Sequence, residues 1–537
     1  MARPSQILRK SFLARSCRRH ITTSSSRSAS TSPQRMKPAA APAPERTTLK
    51  PFSEIPGPIA LPMLRHSAHV LPRIGSFHHS VGLGLLEGLR DKYGNLVRLA
   101  KASRTRPVLF VFDPEIMREV YKSGVTEPPH WDRSPHEVHR KMAVTQCPFH
   151  GDERKAIWSA IGTLLKDKTL IKKYEKVFDD IAADFTQRLG NLRHSDNALN
   201  EELETEVYRW ALETIGVMLF GIRLGCLDGD ARVPTLENKS LEKTSLDCTL
   251  SKKPLEALTP AEHLVKCSLE IAENNYLVRS VGTLRADSEV FNNALKALDA
   301  QYSLTEQFLQ KALSSLNSGQ HRPEQALIER LRPLDTRILP LASDALLAGV
   351  EPLAQSALSL FYYLSFHPAQ QQRAHDEVKW AAESRREGLE VSELPYITAC
   401  AKEALRLHPV TGGVVRRSKE EMDIGGYEVP AGVEIVLAHG VTSNSEKEWG
   451  RSQAYIPDRW CSEGWEPLKA SRAHPQASMP FGTSCPASGI AGSILTALTT
   501  RIQDKYRLEW HGPRSNIITT GVNKVQKPYY FVLQNAA

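Results

Sequence analysis

One cysteine, Cys485, lies in the loop MPFGTSCPASGIAG of residues 479–492, just before a segment rich in alanine and leucine. Such a segment is typical of a helix, and a thiolate at a helix N-terminus is stabilised by the exposed N–H groups there. Thiolates are strong ligands of soft metal ions. Taken alone, however, the loop fits a small buried thiol without a chemical role better than it fits a ligand.

A second group of residues pairs one acid with two arginines. Glu403 and Arg406 are three residues apart in KEALRLHP (402–409), so on a helix they share one face. Arg459 follows in IPDRW (456–460). One carboxylate between two guanidinium groups would form a fixed ionic clamp, because arginine binds carboxylates in a planar, bidentate way. A Glu/Arg pair at this spacing, without further context, is usually a solvated surface contact.

The elements that must position these residues are mostly helical. The pattern GLLEGLRDKYG (84–94) predicts an amphipathic helix that ends at a glycine, and residues 152–385 are mainly helical in pattern. Alternating apolar residues in 422–440, interrupted by glycine and proline, predict short strands. The sequence therefore predicts a mainly α protein with a minor β region. It has no nucleotide-binding glycine motif and no run close to the ~20 apolar residues of a membrane span.

The positive charge of the chain is concentrated at its N-terminus. Of 69 Lys and Arg, nine lie in residues 1–44, which contain no acid, so the other 60 balance 60 Asp and Glu. A neutral body gives no reason to expect nucleic-acid binding. Residues 1–44 are rich in Arg and Ser and lack a secretory apolar core, which predicts a mitochondrial transit peptide and linker. A disordered basic tail is the alternative. The eight dispersed cysteines favour free thiols in a reducing compartment.

The order Glu403, Arg406, Arg459 and Cys485 resembles the cytochrome P-450 family of haem-thiolate monooxygenases. In that family a Glu-x-x-Arg helix pairs with the arginine of a P-x-R-[WF] turn, and the cysteine loop follows. The resemblance implies the P-450 fold, with Cys485 as the ligand of the iron of haem b. It also implies that Glu403, Arg406 and Arg459 form the structural clamp.

The resemblance extends over a haem-thiolate domain of residues 50–537. The segment YRWALETIGVMLFGIRLGCL (208–227) is similar to the mitochondrial branch of the family, in agreement with the transit-like leader. Within that branch the chain is most similar to the insect ecdysteroid 2-hydroxylases. The resemblance therefore implies a sterol-like or ecdysteroid-like substrate. It also implies peripheral association with the matrix side of the mitochondrial inner membrane.

Electrons must come from another protein, since the chain has no flavin or nicotinamide motif. The mitochondrial branch receives them from NADPH through a ferredoxin reductase and a [2Fe–2S] ferredoxin. Lys402 matches one of two lysines by which that branch docks ferredoxin, whereas Thr398 takes the place of the other. An ordinary exposed lysine is an equally good interpretation of Lys402.

Two arginines are implied to bind the haem propionates, because carboxylates that enter a protein interior need cations or strong donors. Arg416 fits the family arginine that follows the Glu-x-x-Arg helix. Arg154 and Trp158 correspond to a helical Trp-x-x-x-Arg of the family with the two residue types exchanged. Arg154 is equally compatible with a surface position in the charged run of residues 151–155.

The apolar segment of residues 343–366 predicts a central helix. In the family an acid and an alcohol follow an Ala-Gly step here and deliver protons to the iron site. Ala348, Gly349 and Glu351 match, but Pro352 takes the place of the alcohol. Since a proline frees the carbonyl one turn earlier, we expect Glu351 and an ordered water to form a proton relay without a hydroxyl. A buried helix with a proline kink is the alternative.

The cysteine loop departs from the family pattern F-x-x-G-x-R-x-C. Phe481 is four residues before Cys485 instead of seven, Thr483 takes the place of the haem-binding arginine, and Ala487 that of the following glycine. A shorter loop affects the N–H groups that tune the sulfur. An impaired or non-enzymatic protein of this fold, or a gene model mis-spliced in the loop, is therefore the alternative to a working monooxygenase.

Overall fold

A computed structural model gives the structure of the protein. It describes residues 49–58, 82–99, 106–123, 125, 135–136, 138–139, 152–199, 203–228, 258–280, 288–319, 322–387, 394–483, 485–519 and 522–536. The predicted leader of residues 1–44 lies outside these ranges.

Helices form most of the described chain. They are α1 (Leu83–Tyr93), α2 (Pro114–Lys122), α3 (Asp152–Leu164), α4 (Lys168–Leu192), α5 (Leu203–Phe220), α6 (Pro260–Ser280), α7 (Glu289–Asn317), α8 (Ala326–Leu331), α9 (Ile338–Phe366), α10 (Pro368–Arg386), α11 (Pro395–Leu407), α12 (His439–Thr442) and α13 (Ala491–Lys505). Among the described residues, none of these helices has the length and apolar character that crossing a bilayer requires.

The strands are short. They are β1 (Lys50–Pro51), β2 (Leu96–Leu99), β3 (Val108–Val111), β4 (Val414–Arg417), β5 (Met422–Ile424), β6 (Tyr427–Val429), β7 (Glu434–Leu437), β8 (Tyr506–Trp510), β9 (Ile517–Thr519), β10 (Asn523–Val525) and β11 (Phe531–Asn535). One sheet has the order β2-β3-β7-β4, with β3 and β7 parallel, and another has the order β1-β6-β5. Two antiparallel pairs, β8 with β11 and β9 with β10, complete the described sheet structure.

The predicted local elements are present with small shifts. The helix expected at residues 84–94 is α1, and Gly94 ends it with φ 95°, a backbone conformation that favours glycine. The alternation in residues 422–440 forms β5, β6 and β7. The mainly α fold with a minor β region is confirmed.

The core is built around α9, which packs against α5. Every residue of α5 is buried, so this helix is enclosed on all sides. Pro352 lies inside α9, and the helix continues through it to Phe366. Toward the C-terminus, α11 and the turn Pro457–Trp460 come together and lead to the cysteine loop. This arrangement brings Glu403 and Arg406 of α11 next to Arg459 of the turn.

Candidate active site

The structure brings Glu403, Arg406 and Arg459 together as a clamp. Arg406 donates to both carboxylate oxygens of Glu403, from Nη2 to Oε1 (2.8 Å) and from Nε to Oε2 (2.9 Å). Arg459 Nε donates to Oε1 at 3.1 Å. The indole N–H of Trp460 (2.9 Å) and the backbone N–H of Ile456 (3.1 Å) complete the set of donors. The carboxylate is therefore held by five hydrogen bonds in a fully buried site.

The clamp also ties down the segment that precedes the cysteine loop. The remaining guanidinium N–H groups donate to the backbone carbonyls of Ser443, Arg451, Ala454 and Leu468. The indole of Trp449 lies 5.2 Å from the guanidinium carbon of Arg406, a cation–π distance. Burial lowers the pKa of Arg459, and Glu403 opposes that shift. Since one carboxylate serves two cations, the carbonyl contacts supply the rest of the compensation.

Cys485 precedes a short 3₁₀ turn, Pro486–Gly489, that leads into α13. Its side chain is half-buried. Burial raises the pKa of the Cys485 thiol. The backbone N–H groups of Ala487 and Ser488 oppose this shift but do not cancel it. The sulfur therefore lies where N–H groups stabilise a thiolate, although burial keeps the proton on the free thiol. A metal ion that binds here must displace that proton.

The shortened loop makes a tight turn before the cysteine. The backbone N–H of Gly482 donates to the carbonyl of Met479 at 3.0 Å, and Gly482 has φ 56°. After the cysteine, the turn packs closely on α3. A Cβ added at Gly489 would lie 2.7 Å from the carbonyl oxygen of Leu165, and one at Gly162 would lie 3.3 Å from Pro486. A side chain at Gly489 would therefore push the turn away from Leu165, while the contact at Gly162 is tight.

Arg416 lies on β4 and reaches the cysteine loop. Its side chain is buried, and Nη2 donates to Thr483 Oγ1 at 3.0 Å. The guanidinium carbon lies 5.7 Å from the ring centre of Tyr121. Thr483 is the residue that replaces the family arginine, and Arg416 brings a cation to the same loop. Arg154 lies on α3, but the position of its side chain is outside the described part of the structure.

A buried histidine that the sequence did not single out supports Arg416. His439 Nδ1 lies 2.8 Å from the carbonyl oxygen of Gln476, and Nε2 lies 2.7 Å from the hydroxyl of Tyr121. A carbonyl only accepts, so the proton is assigned to Nδ1 and Tyr121 donates to Nε2. Burial lowers the pKa of His439 to about 4, so the ring is neutral at pH 7. The histidine thus orients Tyr121 next to Arg416.

Glu351 and Pro352 lie at the middle of α9, where the helix is less buried than along the rest of its length. Ala348 and Pro352 are four residues apart and share one face, which is partly open. Glu351 lines a small cavity next to Tyr208. The carbonyl of Pro352 accepts from Ser356 Oγ at 2.7 Å.

Lys402 is exposed on α11, on the outer side of the clamp. Its Nζ lies 5.9 Å from the ring centre of Trp460. Thr398, one turn earlier, places its hydroxyl 3.3 Å from Thr496 Oγ1 on α13. Lys402 is therefore accessible to a partner protein, whereas the Thr398 hydroxyl is directed into the protein.

The residues around Cys485 fit a haem. The thiol faces backbone N–H groups that stabilise a thiolate, the ligand that suits haem iron. A buried guanidinium, that of Arg416, reaches the same loop and is suited to a carboxylate group. These are the donors that a carboxylate-bearing haem requires.

Residues 69–533 match the family described as Cytochrome P450. The chain belongs to the cytochrome P450 family. Proteins of this family are haem-iron oxidoreductases that act as monooxygenases. A solved structure, "Crystal structure of cytochrome P450DA heme domain", superposes with a TM-score of 0.66 over 91% of this chain and 98% of that chain, at 16% identity. This likeness confirms the P450 fold.

Similar proteins place this P450 with the mitochondrial types. "Probable cytochrome P450 301a1, mitochondrial" from Drosophila melanogaster is 26% identical over 491 residues, 87% of this chain and 84% of that protein. "Probable cytochrome P450 49a1" from the same fly is 26% identical, over 86% of this chain and 79% of that protein. The human "25-hydroxyvitamin D-1 alpha hydroxylase, mitochondrial" is 27% identical over 72% of this chain and 74% of that protein. The resemblance to the mitochondrial branch is confirmed.

Proposed function

We propose that this P450 is a mitochondrial haem-thiolate monooxygenase that hydroxylates a sterol-like substrate with O₂. The observation that carries the proposal is the position of Cys485. Its thiol faces the N–H groups of Ala487 and Ser488, and Arg416 reaches the same loop. We therefore expect Cys485 to be the ligand of the haem iron.

The substrate class rests on relatives. One relative is named for the hydroxylation of 25-hydroxyvitamin D, a secosteroid. We propose a sterol or secosteroid for this chain as well, and an ecdysteroid within that class on the resemblance to the insect ecdysteroid hydroxylases. No nucleic-acid partner is proposed.

The cellular setting follows from the same proposal. Residues 1–44 would act as a transit peptide and linker, and residues 50–537 as the haem-thiolate domain, on the matrix side of the inner membrane. Electrons from NADPH would arrive through a ferredoxin reductase and a [2Fe–2S] ferredoxin. Lys402 is exposed and adjacent to Trp460, which supports a role in ferredoxin docking.

When bound, the haem supplies oxygen activation, which a thiolate ligand promotes by donating electron density. The chain supplies the surroundings. The N–H groups beside Cys485 would stabilise the thiolate, and Arg416 would bind a carboxylate of the cofactor, joined by Arg154. The clamp of Glu403, Arg406 and Arg459 is structural and holds the segment that leads to the loop.

Glu351 is the proposed proton donor of the site. Pro352 has no N–H, so the carbonyl of Ala348 lacks its helical partner and is suited to hold a water. Glu351 and this water would pass protons to the open face of α9 without a hydroxyl side chain. The carboxyl gives up one proton at a time and must be reprotonated from solvent.

Replacing Pro352 with threonine tests this relay. We expect Pro352→Thr to leave the ratio of product formed to O₂ consumed unchanged or higher, because the variant adds the hydroxyl that related enzymes use. Pro352→Ala is the matched control, since it restores the helical N–H without a hydroxyl. Stoichiometry of O₂ and product would be measured in both. A loss of haem in Pro352→Thr would contradict the proposed role of the proline.

The proposed function itself is tested by absorption spectroscopy of the purified protein. We expect the reduced, CO-bound form to show the Soret band of a thiolate-ligated haem, and sterols to shift the spectrum of the oxidised form. A protein without haem, or with the band of a non-thiolate haem, would support the alternative of a non-enzymatic P450. That alternative is favoured by Thr483 and by the shortened loop. Sequencing the transcript across codons 478–495 separates a mis-spliced gene model from a natural loop.

A further inference from the structure

A small cavity lies beside Glu351, between α5, α6, α7 and α9. It offers about 20 Å³ to a water-sized molecule, enough for one water, which needs roughly 10–15 Å³ on this measure. Polar groups of Tyr208, Ser268, Gln301 and Glu351 line it, together with apolar side chains. Tyr208 and Gln301 are almost fully buried. A cavity of this size with several polar groups holds a water rather than remaining empty.

Four polar side chains connect this cavity to the protein surface. Glu204 and Tyr208 are four residues apart on α5, and Glu351 and Gln355 are four apart on α9, so each pair shares one face of its helix. Gln355 Nε2 donates to Glu204 Oε1 at 3.2 Å. Burial raises the pKa of Tyr208 well above its usual value, with Glu351 and Glu204 adding to the shift. The Tyr208 hydroxyl therefore lies within electrostatic reach of both carboxylates.

The outer end of this group is Glu204, which is buried beneath a partly exposed lysine. Lys527, whose side chain is 46% exposed, forms an ion pair with Glu204. Burial by itself would raise the pKa of Glu204. The positive charges of Lys527 and Lys524 outweigh this effect, so the pKa is lowered. Glu204 is thus a buried, charged carboxylate that pairs with an exposed lysine and can accept protons. Burying polar groups between two packed helices costs free energy. A contact between α5 and α9 that served packing alone could be made by apolar side chains without this cost.

We propose that Glu204 and Tyr208 form the proton inlet of the enzyme, with Tyr208 holding a cavity water against Glu351. After Glu351 has given up its proton, the cavity water donates one to the carboxylate and takes one from the Tyr208 hydroxyl. Glu204 takes a proton from solvent and passes it on to Tyr208, which restores the Glu204 carboxylate. Each group regains its starting protonation, and Gln355 keeps the Glu204 carboxylate oriented. The inlet rests on the proposed function, because it serves the proton donor of that reaction.

Tyr208→Phe tests the inlet, because it keeps the ring and removes the hydroxyl. We expect the ratio of product to O₂ consumed to fall about tenfold, the size of effect that an outer-shell partner has on an active site. The thiolate band of the reduced, CO-bound form should remain. Tyr174→Phe is the matched control, since Tyr174 is also a buried tyrosine. Its hydroxyl donates to the carbonyl of Met218 and accepts from the backbone N–H of Leu327, so its partners do not include Glu351. We expect normal coupling in the control.

A second readout does not depend on turnover. The infrared carboxyl band of Glu351, assigned by its disappearance in Glu351→Gln, should shift and change its pH midpoint in Tyr208→Phe but not in Tyr174→Phe. An unchanged band together with unchanged coupling would overturn the inlet. If the wild type forms no product, the proposed function fails, while the infrared band still decides whether Tyr208 acts on Glu351. If Tyr208→Phe does not fold, Glu204→Gln is expected to give the same loss of coupling, and normal coupling there overturns the proposal.

Discussion

Glu403→Gln is expected to lower the free energy of unfolding by about 3–5 kcal/mol, the cost of removing one partner from a buried ion pair. The side chain keeps its size but loses its charge, so two buried guanidinium groups lose their only shared carboxylate among the described residues. In the glutamine side chain, an N–H₂ group replaces one carboxylate oxygen. This donor then faces the N–H donors of Arg406 or Arg459, with which it forms no hydrogen bond. The variant should be recovered with less haem and a lower guanidinium chloride midpoint.

Glu466→Gln is the matched control for this prediction. Glu466 is exposed and pairs with Lys469 at 3.0 Å and Arg472 at 3.5 Å, so it also accepts from two cations. Surface ion pairs of this kind contribute little, and we expect the unfolding midpoint to stay that of the wild type. An equal loss in both variants would show that the burial of the clamp is not what makes Glu403 important.

Cys485→Ser is expected to remove the thiolate band of the reduced, CO-bound protein. Product formation should fall by more than about 100-fold, because loss of a metal ligand exceeds the 10–100-fold effects of outer-shell partners. Absorption spectra and product assays would be measured together. Cys461→Ser is the control, since Cys461 is also half-buried and lies near the clamp. Loss of the band in Cys461→Ser instead would disprove the assignment of Cys485.

The same cysteine gives the binding of haem a pH dependence. Burial raises the pKa of the free thiol, so the group is protonated at neutral pH, and a thiolate ligand forms only as that proton leaves. Haem affinity should therefore rise with pH, by up to about tenfold per unit below the thiol pKa. In Cys485→Ser this rise should be absent over the same range, as measured by haem titration of the protein prepared without haem.

Local spacing made several features predictable. Glu403 and Arg406 share a face because three residues is close to one helical turn, and Arg459 was expected nearby from the order of the two motifs. The helix of residues 84–94 and its glycine end followed from a 3.6-residue pattern and from the freedom of glycine at positive φ. The predicted local elements needed no knowledge of distant parts of the chain.

The sequence by itself determined the mainly α fold, the residue types of the clamp and the position of Cys485 in a loop before a helix. Only the tertiary structure decided which distant groups meet. Tyr121 and His439 are 318 positions apart, and Glu204 and Gln355 are 151 apart. No periodic pattern links such pairs, because helix and strand periods set neighbours within one element, whereas contacts between elements depend on how their buried faces pack. The support of Arg416 by His439 and the polar inlet to Glu351 therefore came from packing alone.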